Sequence, residues 1–207
     1  MNQIARIISV VFHPLLLPTY WTILMAKVLP RGLEPFIEAQ HLHLIGLIFI
    51  MTFFLPVVFF GLLKAIGILP SMNMHERKDR VKPFIFISLW YVIVAVQLVL
   101  RDQISVNDNF MKFLIIIDVL VFMGTFFTFF FKISVHSIGM WGLVGMLLGL
   151  SFFQEDNTLL IPLVSILALA GVVMSSRLQL NAHTPKEIAV GSVVGLIVSV
   201  AGVFLLF

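Results

Sequence analysis

The run Ser175-Ser176-Arg177-Leu178-Gln179-Leu180-Asn181-Ala182-His183-Thr184-Pro185-Lys186-Glu187 places an arginine, a histidine and a carboxylate between two apolar segments. Its pattern is Ser-Arg, five residues, His, three residues, Glu. An arginine can hold phosphate oxygens by a bidentate fork. A histidine can attack phosphorus, and a carboxylate can orient the imidazole and stabilise its charge. Together they suit phosphoryl transfer without a metal. The arginine and the carboxylate also have plainer readings. Arg177 could be an interfacial arginine snorkelling from a helix end. Thr184-Pro185-Lys186-Glu187 reads as a helix start, with Thr as N-cap, Pro first in the helix and Glu three residues after the cap. The two roles of Glu187 are compatible. A helix starting there would also point free amides and its positive dipole end at a bound phosphate.

Two other polar stretches carry candidate chemistry. In Lys132-Ile133-Ser134-Val135-His136-Ser137, His136 is the candidate general acid for a leaving oxygen. Ser134 is a candidate hydrogen-bond donor to phosphate. The run Pro70–Pro83 is the most charged part of the chain. It holds Arg77, Lys78, Arg80 and Lys82, of which one or two would serve a phosphate whose transition state spreads charge over three oxygens. The alternative is a basic loop that sets orientation or meets lipid headgroups. No HExxH, Walker-type loop or carboxylate cluster points to a metal or nucleotide, so no cofactor is expected. Nothing points to nucleic acid. His13, His41 and His43 are unassigned.

The elements that position these groups are apolar. Of 207 residues, 60% are hydrophobic and 11% charged, and the mean hydropathy is +1.12. Soluble domains carry about 25% charge. The expected fold is an all-α transmembrane bundle of six or seven crossings, a single domain over 1–207 with its motifs in about 70–207. The first segment covers about Ile7 to Leu29, bent by Pro14 and Pro18. It is expected to be retained, because no small-residue cleavage site follows the start. The others cover about Leu44–Leu69, Phe84–Leu100, Phe110–Phe131, Ile138–Phe153, Thr158–Met174 and Pro185–Phe207. The absence of cysteine excludes disulfides and thiolate chemistry. Asp118 lies about 12 Å inside the fourth segment at ~1.5 Å per residue and is expected to make an interhelical hydrogen bond.

Seven crossings give a checkable consequence. An even number of crossings separates each pair of the three polar stretches, so all three emerge on one face. Groups far apart in sequence can then share one site.

These stretches resemble the type 2 phosphatidic-acid phosphatase superfamily. The family's third motif, Ser-Arg-x5-His-x3-Asp, is matched by Ser176, Arg177, His183 and Glu187, with Glu for Asp. Its second, Pro-Ser-Gly-His, is matched by Ser134 and His136, with Ile133 and Val135 replacing Pro and Gly. Its first, Lys-x6-Arg-Pro, aligns Lys82-Pro83 on Arg-Pro and puts His75 at the lysine. The resemblance covers about Arg77 to Glu187. It implies a metal-independent hydrolase with His183 as nucleophile, Glu187 as its partner, His136 as acid and Arg177 with first-motif basic residues as the cradle. The implied partners are a lipid phosphate or diphosphate substrate and the surrounding membrane lipids.

Two other functions fit the sequence: a non-catalytic lipid-binding or assembly protein of the same fold, and a small transporter with Asp118 as coupling group. The expected location is a bacterial cytoplasmic (inner) membrane. The resemblance implies a site facing the periplasm, whereas the Lys and Arg count (Arg6, Arg77, Lys78, Arg80, Lys82, Lys132, Arg177 and Lys186 against Lys27, Arg31, Arg101 and Lys112) would put that face in the cytoplasm.

Overall fold

The computed structural model describes residues 2–67, 77–101 and 104–207, and every regular element among them is helical. The chain runs through α1 (Asn2–Val11), α2 (Leu17–Val28), α3 (His41–Phe49), α4 (Leu55–Ala65), α5 (Arg77–Arg101), α6 (Asn109–Thr128), α7 (Val135–Ser151), α8 (Leu160–Gln179) and α9 (Pro185–Leu206). Six segments are long and apolar enough to cross a membrane: Asn2–Val28, Glu38–Ala65, Asp79–Leu100, Asn109–Thr128, Leu160–Gln179 and Pro185–Leu206. Helix α7 is apolar too but shorter than these six. It stands at the centre, buried along most of its length between α9, α8 and α6. The all-helical membrane bundle expected from the sequence is the fold.

Two interruptions matter to the site. At His13 the backbone is extended (φ −63°, ψ 136°) and a short 3-10 turn, Pro14–Leu16, follows. A residue before proline avoids the helical region, so the first segment breaks into α1 and α2. Helix α1 packs on α8. It buries Ala5 and Ser9 and turns Ile4, Ile7 and Val10 outward. In the second segment a single π-type turn, Ile50–Phe54, precedes Pro56. Proline lacks the N–H that its helix would use. Trp90 of α5 donates to the freed Met51 carbonyl at 2.7 Å, and the Tyr91 hydroxyl points to the Thr52 carbonyl at 3.5 Å. Side chains of a neighbouring helix thus satisfy the bend at membrane depth.

Helices α7 and α9 lie in the closest contact. A Cβ on Gly145 would come within 2.8 Å of the Leu196 carbonyl oxygen, and one on Gly191 within 2.8 Å of the Ser134 carbonyl oxygen. Small residues allow such an approach between membrane helices. The Gly191 contact brings the start of α7 against the start of α9, which joins the second polar stretch to the third.

Candidate functional site

The third polar stretch folds as one helix end and one helix start joined by a tight turn. Helix α8 continues through Ser175, Ser176 and Arg177 to Gln179, further than the apolar pattern suggests. It closes when Asn181 takes a left-handed conformation (φ 48°). The Asn181 N–H donates to the Leu178 carbonyl at 2.9 Å and the Ala182 N–H to the Arg177 carbonyl at 3.1 Å. This is a Schellman closure, with asparagine in the position glycine most often takes. Helix α9 opens immediately afterwards. Thr184 caps it by accepting from the Glu187 N–H at 3.3 Å, and the Glu187 carboxylate accepts from the Thr184 N–H at 3.3 Å. Residues 178–182 therefore set a fixed step between Arg177 and His183.

The same carboxylate oxygen, Oε2, lies 2.7 Å from Nδ1 of His183. A carboxylate only accepts, so Nδ1 carries the proton and the neutral ring keeps its lone pair on Nε2. His183 is buried. Burial pushes its imidazole down, to about 4, against the opposing pull of the Glu187 hydrogen bond and with added repulsion from Arg80 and Arg177. At neutral pH His183 is thus an uncharged base, oriented by a carboxylate.

The second stretch arrives from the start of α7. The Ser134 N–H reaches the Glu187 backbone carbonyl at 3.4 Å. Ser134 is fully buried, and its Oγ caps α7 by accepting from the Ser137 N–H at 3.3 Å. That bond leaves the hydroxyl proton for another acceptor. His136 is buried one residue into the helix. Its Nε2 lies 3.1 Å from the carbonyl of Ser9 in α1. The carbonyl only accepts, so Nε2 donates and Nδ1 carries the lone pair.

From the first stretch, the bundle takes in Arg80. It is 8% exposed, and Glu187 attracts it while Arg177 repels it. Inserting a cation at mid-membrane costs about 2.5–3.5 kcal/mol. Arg80 avoids most of that penalty near the end of α5, within the field of a carboxylate. Arg77 instead donates to the Phe129 carbonyl at the end of α6. Lys82 is exposed and bonds to nothing among the described residues. The side chain of Lys78 and the whole of His75 lie outside the described residues.

Arg177 acts electrostatically on His13, His136 and His183. The cluster therefore comprises Arg80, Arg177, His183, Glu187 and His136, with Ser134 joined to it through the Glu187 carbonyl. Within this cluster of described residues, two guanidinium groups share one carboxylate. Three of the surrounding polar atoms, Ser9 Oγ, His136 Nδ1 and Arg177 Nε, are buried without a hydrogen-bond partner among the described residues. Buried polar atoms are nearly always paired. The donors among them, Arg177 Nε and Ser9 Oγ, fit the oxygens of an anionic ligand, and the His136 Nδ1 lone pair fits a proton that such a ligand carries.

Two contributors are not evident in the sequence: Ser9, whose main-chain carbonyl carries no side-chain signal, and His13, whose ring packs edge-on against His136. A His-Pro pair inside an apolar run was the available sign. Asp118 is half-buried in α6. It makes no hydrogen bond among the described residues, contrary to the interhelical bond expected of it. Comparison with protein-family models, curated protein sequences and solved structures returns no match.

Proposed function

We propose that the protein is a membrane-embedded phosphatase that hydrolyses a lipid phosphate or diphosphate, of polyprenyl or glycerolipid type, through a phosphohistidine. The observation that carries this reading is the His183–Glu187 pair at 2.7 Å, set beside two buried or half-buried arginines at the end of an apolar bundle. The resemblance to the type 2 phosphatidic-acid phosphatases adds to it. Nε2 of His183 attacks phosphorus, and the P–O bond to the leaving oxygen breaks. Arg177 and Arg80 balance the charge on the equatorial oxygens. Glu187 stabilises the imidazolium that forms at His183. His136 Nδ1, which carries a lone pair before substrate binds, takes up the proton of a monoanionic phosphate ester and passes it to the leaving oxygen. The resulting lone pair then takes a proton from the water that hydrolyses the phosphohistidine.

Phosphate release by purified protein, with excess chelator and a panel of lipid phosphates, tests the reading. Release is expected from wild type and is expected to fall about a thousandfold or more in His183→Ala. Release that requires a divalent metal contradicts the mechanism. One observation favours a second reading, a non-catalytic lipid-binding relative. His136 holds its Nε2 proton against a main-chain carbonyl, which suits a structural histidine. Lipid binding without release from any member of the panel would establish that alternative.

A further inference from the structure

The bend at His13 presents an imidazole that the mechanism above does not use. Its Nδ1 accepts from the Leu15 N–H at 3.3 Å, which caps the 3-10 turn. The neutral ring therefore carries its proton on Nε2. No described residue bonds to that N–H. The ring meets His136 edge-to-face, with centroids 5.9 Å apart. Both rings line a cavity of about 260 Å³ inside the bundle. The rest of the wall is apolar, including Leu17, Phe60, Phe84, Leu120 and Leu143. Its two hydroxyls are already engaged. Tyr91 points to the Thr52 carbonyl, and Thr125 bonds with Ser88 and the Val121 carbonyl. Among the described residues, the polar capacity left open to the cavity lies at the two histidines. His136 also belongs to the cluster of Arg80 and Arg177, so it stands where an apolar space meets an anion site.

We propose that His13 is a substrate-positioning residue whose Nε2–H holds the oxygen joining a phosphate headgroup to its hydrocarbon chain, at the mouth of a chamber that takes that chain. The occupant is a chain-bearing anionic lipid. Its charge lies on the Arg80–Arg177 side of His136, and its chain meets walls that offer neither charge nor an unused donor. This rests on the lipid-phosphate reading of the adjoining site.

The test measures binding in the full-length His183→Ala protein, so that turnover plays no part. One probe is a long-chain monoalkyl phosphate. The other is the matching alkylphosphonate, in which a methylene replaces the bridging oxygen. His13→Asn keeps an acceptor for the Leu15 N–H, because asparagine is a good cap, but removes the distal donor. His13→Gln keeps a distal N–H and gives up the cap. The expected result is that His13→Asn weakens the ester about tenfold, the worth of one hydrogen bond to a charged group, and leaves the phosphonate unchanged. His13→Gln is expected to retain most of the preference for the ester. Equal weakening of both probes, or none of either, overturns the proposal, as does failure of both probes to bind. Ester binding that depends on His13, in a protein whose wild type releases no phosphate, would sink the phosphatase reading and leave this one standing.

Discussion

A histidine serves as a nucleophile only when its ring is neutral and its attacking nitrogen is free. Two opposing influences set that state at His183. Burial and two guanidinium groups disfavour the imidazolium, while the Glu187 carboxylate favours it. Burial is the largest, and the imidazole titrates near 4 rather than at its ordinary 6.5. The acid limb of kcat/KM for phosphate release is therefore expected near pH 4, with activity undiminished at pH 6. A limb near 6.5 would show that His183 is not buried in the protein as it releases phosphate. Stability follows the same linkage. The unfolded chain takes up the proton at the ordinary value and the folded chain resists it to about 4. The contribution of this residue is thus complete above about pH 6.5 and declines as pH falls from there toward 4.

At the scale of elements, the site depends on how α8 ends and α9 begins. The left-handed Asn181 turns the chain between Arg177 and His183. A β-branched residue there meets the steric cost of that conformation, about 1–2 kcal/mol. Asn181→Val is expected to lower both the melting temperature and the rate of phosphate release, whereas Asn181→Gly should preserve both. Loss of activity in both variants would mean that the asparagine side chain, and not the turn, is what matters. Parts of this arrangement are legible in the sequence. Thr184-Pro185-Lys186-Glu187 announces the cap of α9, and the count of crossings brings three distant polar stretches to one end. The selection among four neighbouring cations is less visible. In sequence Arg77, Lys78, Arg80 and Lys82 look alike. Once α5 is known to begin at Arg77, Arg80 falls in the helical stripe with Phe84, Ile87 and Tyr91, which line the cavity. The break at His13 was legible only as a proline bend. That α1 folds against α8 and meets His136 through a backbone carbonyl is a tertiary fact, with no side-chain pattern to announce it.

Over the whole molecule, among the described residues, the buried Arg80, His136 and His183 come together where α5, α7 and α9 begin, whereas His41, also buried, sits at the start of α3 against the Phe36 carbonyl. Lysines and arginines concentrated on a face mark the cytoplasmic side when they serve only orientation. Here Arg80 and Arg177 belong to the cluster, so the count no longer reports topology alone. The resemblance to the type 2 phosphatidic-acid phosphatases implies that this face lies outside the cytoplasmic membrane, and labelling tests it. The chain has no cysteine, so single substitutions can be labelled cleanly. In intact cells, Lys186→Cys is expected to react with a membrane-impermeant thiol reagent and Ser105→Cys to be protected. The reverse pattern would put the site in the cytoplasm, as the charge count alone suggests.

The central claim is that His183 becomes covalently phosphorylated. The direct measurement is to mix the protein with a lipid phosphate labelled in its phosphate, quench in alkali within the first turnover, and look for label on the chain. The account predicts a protein-bound phosphate that survives alkali, is lost in acid, maps to His183 and is absent from His183→Ala. Phosphate release without any such adduct, or an adduct that persists in His183→Ala, would contradict it.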